Sequence, residues 1–127
     1  MKEFMLLIRN EKDHQSGWSV EKHRQFLNAC SVYIEELKKK GQLISAQPIV
    51  REGKMVSGSK GAWKEGPFHE GNEVIVGYYH VLANGIDDAV EIARGNPEFE
   101  YSKTARVEVR PIKMKEESTG YAYPKKG

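Results

Sequence analysis

The order of apolar segments predicts an α+β domain: two β-α-β units sharing one antiparallel sheet, with both helices on one of its faces. Three observations carry this. Residues 3–9 and 74–82 are short apolar runs bounded by polar turns, and read as buried strands. Two stretches, about 19–40 and 86–94, repeat apolar residues at helical spacing. The chain has 127 residues, the size of one domain with one core.

Taken in order, residues 3–9 form a first strand, because the run before Asn10-Glu11-Lys12-Asp13 is too short for a helix. A polar loop over 10–18 ends in Gly17-Trp18. Ser19 caps the helix that follows, Glu21 suits its first turn, and Lys38-Lys39-Lys40 suit its negative end. Phe26, Cys30, Tyr33, Ile34 and Leu37 make its apolar stripe, and Gly41 supplies a left-handed stop. Leu43 to Val50 is a second strand whose Pro48 marks an edge or a bulge. Arg51-Glu52-Gly53-Lys54 turns the chain back through Met55-Val56. Residues 57–73 read as a Gly-rich loop holding Trp63, Phe68 and His69. The strongest strand, 74–82, ends at Asn84-Gly85. A second helix has Ile86, Ala89, Val90 and Ala93 on one face and stops at Gly95-Asn96-Pro97. Residues 106–112 alternate with period two as a last strand. The folded domain is therefore 1–114, with 115–127 a flexible, charged tail.

This βαββαβ order is the split arrangement of ferredoxin-like folds. One layer of helices covers one sheet face, yet residues 3–9 and 74–82 are apolar on both sides. A second copy of the sheet is the simplest cover, so a homodimer is expected. Charge is balanced, 20 Lys and Arg against 18 Asp and Glu, and the signs are interspersed. That excludes the one-signed stripe of a dedicated nucleic-acid binder. No apolar run is long enough to span a bilayer, and the N-terminus lacks the length and cleavage site of a signal peptide, so a cytoplasmic protein without membrane partners is expected. A lone cysteine, Cys30, excludes an internal disulfide and a cysteine zinc knuckle.

The run Lys64-Glu65-Gly66-Pro67-Phe68-His69-Glu70, followed by Glu73-Val74-Ile75-Val76-Gly77-Tyr78-Tyr79, resembles the DGPF signature of the YCII-related family. So do Ile86 to Ala93, Asn96-Pro97 and the closing Val107-Glu108-Val109-Arg110-Pro111-Ile112. Met5-Leu6-Leu7-Ile8 and Gly41-Gln42-Leu43 fit as well. The resemblance covers about residues 3–113 and departs at Glu65, where the signature has Asp. It implies a ferredoxin-like dimeric α/β barrel and little about activity. Some YCII-like proteins carry a His–Asp pair, the His early in the first helix and the acid before its closing Gly. His23 stands at the first position, but residues 38–40 are all lysines, so the pair has no acid here.

Strand parity places Val74, Val76, Tyr78 and His80 on one face, and Ile75, Gly77, Tyr79 and Val81 on the other. Gly77 then allows a helix to approach, and Tyr78 and His80 point into the dimer barrel. Glu108 and Arg110 lie opposite Val107 and Val109, towards the same concavity, and Arg9 ends the first strand beside them. These groups suggest a small-anion or carboxylate site: Arg9, Tyr78 and Arg110 as binding residues, with His80 as acid–base candidate oriented by Glu108. Trp63 and the Gly66-Pro67-Phe68 turn, where Gly permits a positive φ, would form its rim. Interface salt bridges are the competing reading of His80, Glu108 and Arg110. No cofactor is expected: Gly53, Gly58, Gly61 and Gly66 open no helix, and His69, Glu70 and Glu73 match no metal-ligand spacing. The expected activity is binding of a small, anionic metabolite, with acid–base chemistry on it as the alternative.

Overall fold

A computed structural model of the chain describes residues 1–123. The elements run β1 (Lys2–Glu11), α1 (Val20–Lys39), β2 (Leu43–Pro48), β3 (Lys54–Ser59), β4 (Ala62–Pro67), β5 (Glu73–Ala83), α2 (Ile86–Arg94), α3 (Glu98–Tyr101) and β6 (Arg106–Pro111). β2, β5, β1 and β6 make one antiparallel sheet in that order, which is the split β-α-β topology; β3 and β4 pair separately. The α+β class and the ferredoxin-like order are as the sequence predicts. No helix among the described residues is long and apolar enough to cross a membrane.

Local signals explain most boundaries. Ser19 accepts a hydrogen bond from the Lys22 amide at the start of α1, and Gly41 takes a φ of 68° just past its end. In α2, Ala89, Ile92 and Ala93 are buried while Ile86 stays exposed. Phe4, Leu6 and Ile8 from β1 meet Tyr79, Val81 and Ala83 from β5 under α2, forming the core. Tyr33 of α1 closes this layer: its ring packs on Tyr79, and its hydroxyl donates to the Ile92 carbonyl at 2.7 Å.

Three expectations are corrected. The register of β1 against β5 slips between Ile8 and Arg9, where Ile8 faces Gly77 and Arg9 faces Ile75. Val76 is the extra residue, a β-bulge that reverses parity beyond it. Val74 and Val76 are therefore buried with the core, and Ile75 joins Tyr78 and His80 on the opposite face. Gly77 serves β2 rather than a helix, because a Cβ there would stand 3.1 Å from the Gln47 carbonyl oxygen. Residues 57–73 are not a loop: they supply most of the β3–β4 hairpin. Its positive-φ glycines are Gly58 and Gly61, so Gly66 is an ordinary strand residue. Within residues 115–123 of the expected tail, the Tyr123 amide donates to the Met114 carbonyl and Lys115 is bridged to Ala122. Residues 124–127 of that tail lie outside the described residues.

Candidate functional site

The helix α1 is anchored at its two ends. Phe26 packs edge-on against Trp18 and Tyr101, with ring centroids 5.4 and 5.5 Å away, and Leu37 is buried in the core at the far end. Between these anchors the helix presents Cys30 and Ile34, and the sheet beneath presents Ala46, Val76 and Gly77. Small side chains on both walls cannot fill the gap. They leave a cleft of about 650 Å³, within the roughly 300–1,000 Å³ typical of small-ligand sites. Burial, with the charge of Glu98 adding to it, pushes the Cys30 thiol up to about 11. Cys30 is thus a small hydrophobe in this wall and no nucleophile.

The cleft has one polar end, built from residues far apart in sequence. Asn10, fully buried on β1, donates from Nδ2 to Glu98 Oε1 at 2.9 Å. Its Oδ1 accepts from the Glu11 amide and from the Ser102 and Thr104 hydroxyls. Glu98 opens α3 and is itself buried; its amide donates to Asn96 Oδ1 at 2.8 Å. His14 approaches from the loop after β1, with Nε2 2.9 Å from the same Glu98 Oε1, an ion-pair distance without an aligned hydrogen bond. Its Nδ1 stands 3.1 Å from the Glu11 carbonyl and 3.3 Å from an Arg51 guanidinium nitrogen. One tautomer serves two of these contacts together. A proton on Nε2 faces Glu98, and the Nδ1 lone pair accepts from Arg51; moving the proton to Nδ1 turns it to Glu11 and releases Arg51. Two buried donors in the cleft lining, Arg51 Nε and Asn96 Nδ2, have no hydrogen-bond partner.

Tyr78 borders the cleft as well as the opposite face; the other residues expected to form a site lie away from it, on the sheet face opposite the helices and at the hairpin. Met5 faces His80 on one side and Arg110 on the other, so β1 separates them by two strand spacings, roughly 10 Å. His80 Nε2 meets Glu3 Oε1 at 2.8 Å rather than Glu108. Glu108, one strand further, holds Arg9 at 2.9 Å and Arg110 at 3.1 Å, and the two guanidiniums keep its carboxyl below the usual range. Tyr78 shares a 3.2 Å hydrogen bond with Ser45. Trp63 is exposed on β4 with Gly66 and Pro67, and Phe68 packs onto the core. This face carries a shallow apolar depression lined by Met5, Leu7, Ile44, Ile49, Ile75 and His80. His23 lines the cleft under α1, its ring against Trp18.

Sequence reasoning passed over Asn10, His14, Arg51, Asn96 and Glu98. One local signal points to part of this cluster: besides stopping α2, the Asn of Asn96-Pro97 builds the turn that holds the Glu98 amide. The model of the YCII-related domain matches residues 2–113. No curated protein matches the chain.

Proposed function

We propose that this chain, which belongs to the YCII-related domain family, binds a small organic metabolite in the cleft under α1 and works as a homodimer. The cleft carries the proposal: mostly apolar walls, with two buried donors that lack an aligned partner, Arg51 Nε and Asn96 Nδ2, among the lining residues. That is the usual form of a small-ligand site, an apolar body pocket with a few fixed polar groups. The dimer rests on the opposite face, where Met5, Leu7 and Ile75 stand on a sheet with no helix over them among the described residues. Such a face is normally covered. The test is a metabolite-library thermal shift on wild type and Cys30→Phe. The larger side chain projects into the cleft, so hits that raise the wild-type melting temperature should lose their effect in the variant. A library without hits, or hits indifferent to Cys30→Phe, would overturn the reading.

A second reading rests on the His80–Glu3 pair, a histidine held by a buried carboxylate and suited to moving a proton. Here the chemistry would take place on the sheet face, and His80→Ala would abolish turnover of a library hit that Cys30→Phe leaves untouched.

A further inference from the structure

We infer that the polar end of the cleft is a carboxylate subsite and that the ligand is a small amphipathic acid. Its head would lie against Arg51 and Asn96, and its apolar body along Phe26, Cys30 and Ile34. This rests on the cleft being the ligand site and adds what kind of molecule fills it.

Arg51 is the first reason. Among the described residues it forms no ion pair with a carboxylate, although Arg9, Arg24, Arg94, Arg106 and Arg110 all do. Its one hydrogen bond goes to His14 Nδ1, and its buried Nε has none. A guanidinium presents a planar fork matched to two carboxylate oxygens. Asn96 is the second. It is 3% exposed, and because Oδ1 is spent on the Glu98 amide, the side chain's other end must be the N–H donor. The Tyr33 and Tyr79 hydroxyls lie beside this amide, close enough for it to oppose the rise that burial gives both phenols, but neither is aligned as a full hydrogen-bond partner of Nδ2. A buried donor so poorly served would be satisfied better by an oxygen of the ligand.

The surrounding charges select a monoanion. Glu98 would repel an anion, but its Oε1 already faces both Asn10 Nδ2 and His14 Nε2. Lys38 and Glu35 line the other end of the cleft, where they pair with each other at 3.5 Å. Arg51 therefore remains as the one cation of the lining with an open charge. One guanidinium, with the charge of Glu98 nearby, can pair with no more than one negative charge and falls short for a phosphate dianion.

The experiment uses octanoate and 4-phenylbutyrate, with octanol and 4-phenylbutanol as uncharged counterparts, followed by Trp fluorescence and calorimetry. The acids should bind at least tenfold tighter than the alcohols. Arg51→Met should weaken the acids about 10–100-fold, the range of a lost charge-assisted pair, and leave the alcohols unchanged. Asn96→Asp keeps the acceptor for the Glu98 amide and replaces the donor with a negative oxygen, so it should weaken the acids as strongly. Alcohols binding as well as acids, or acids indifferent to both variants, would overturn the carboxylate subsite while the cleft remains a ligand site. If neither acids nor alcohols bind, the cleft reading and the subsite fall together. Urea melts of both variants separate a lost contact from a lost fold.

Discussion

Asn10→Ala is expected to destabilise the protein by about 3.5–5 kcal/mol, chiefly through the hydrogen bonds it removes. The figure follows from its bonds. Nδ2 supplies a hydrogen bond to the buried Glu98 carboxylate, worth about 1.5–3 kcal/mol when one partner is charged. Oδ1 takes the Glu11 amide at 2.8 Å and the Thr104 hydroxyl at 2.7 Å, each worth about 1 kcal/mol in a buried setting. Removing the side chain also leaves Glu98 with less compensation for its buried charge, so the loss exceeds that of a surface asparagine. Urea denaturation measures it: the midpoint should fall with the slope unchanged, and the thermal midpoint should drop by roughly 10–20 °C. A loss under about 1 kcal/mol would refute the reasoning, since the network would then be ornamental and the polar end of the cleft poorly fixed.

Cys30 should react with thiol reagents far more slowly than a free thiol at pH 8, and denaturant should restore the rate. Its thiol titrates higher folded than unfolded, so native protein holds the extra proton between about 9 and 11. Stability should therefore decline as pH rises through that window, and less so in Cys30→Ala. Leu7→Asp places a carboxylate in the middle of the uncovered sheet face; light scattering should show a two-chain particle for wild type and a single chain for the variant. A wild-type monomer at micromolar concentration would sink the dimer. Deleting residues 115–127 should shift the melting temperature by no more than a degree or two, because the hydrogen bonds recorded for residues 115–123 run among themselves and to Met114 and Lys113. A loss of several degrees would mean that Tyr121 and Tyr123 clamp something else.

The elements with a strong local pattern were legible. Helix α1 announces its start at Ser19 and its stop at Gly41, and the alternation of β6 is visible in Val107 and Val109. β4 was invisible because nearly all of it is solvent-exposed, so Trp63-Lys64-Glu65 carries no apolar rhythm to read. The bulge at Val76 was hidden for another reason. Every residue from Val74 to Val76 is apolar, so neither parity is contradicted by the sequence, and only the β1 partner settles it. The polar end of the cleft was least accessible: Asn10 and Glu98 are 88 positions apart, and burial of a polar residue leaves no periodic trace. What strand parity did place correctly, Tyr78 and His80 away from the helices, depended on counting only beyond the bulge.

The β3–β4 hairpin gives this small domain two separable stabilities. Every residue of β3 and all but Gly66 of β4 face solvent, and Phe68, just past β4, carries the packing onto the core. A two-stranded ribbon of this kind is marginal by itself. It can open and close while β1 and β5 keep their hydrogen bonds, so amides of residues 54–67 should exchange through local opening. Those of Leu6 and Val81 should wait for the whole domain to unfold. The ribbon also carries exposed Trp63, Met55 and Val56, so each local opening releases unpaired backbone next to apolar side chains. In that brief state the chain is most exposed to proteases and to strand pairing with a neighbour, long before its core is at risk.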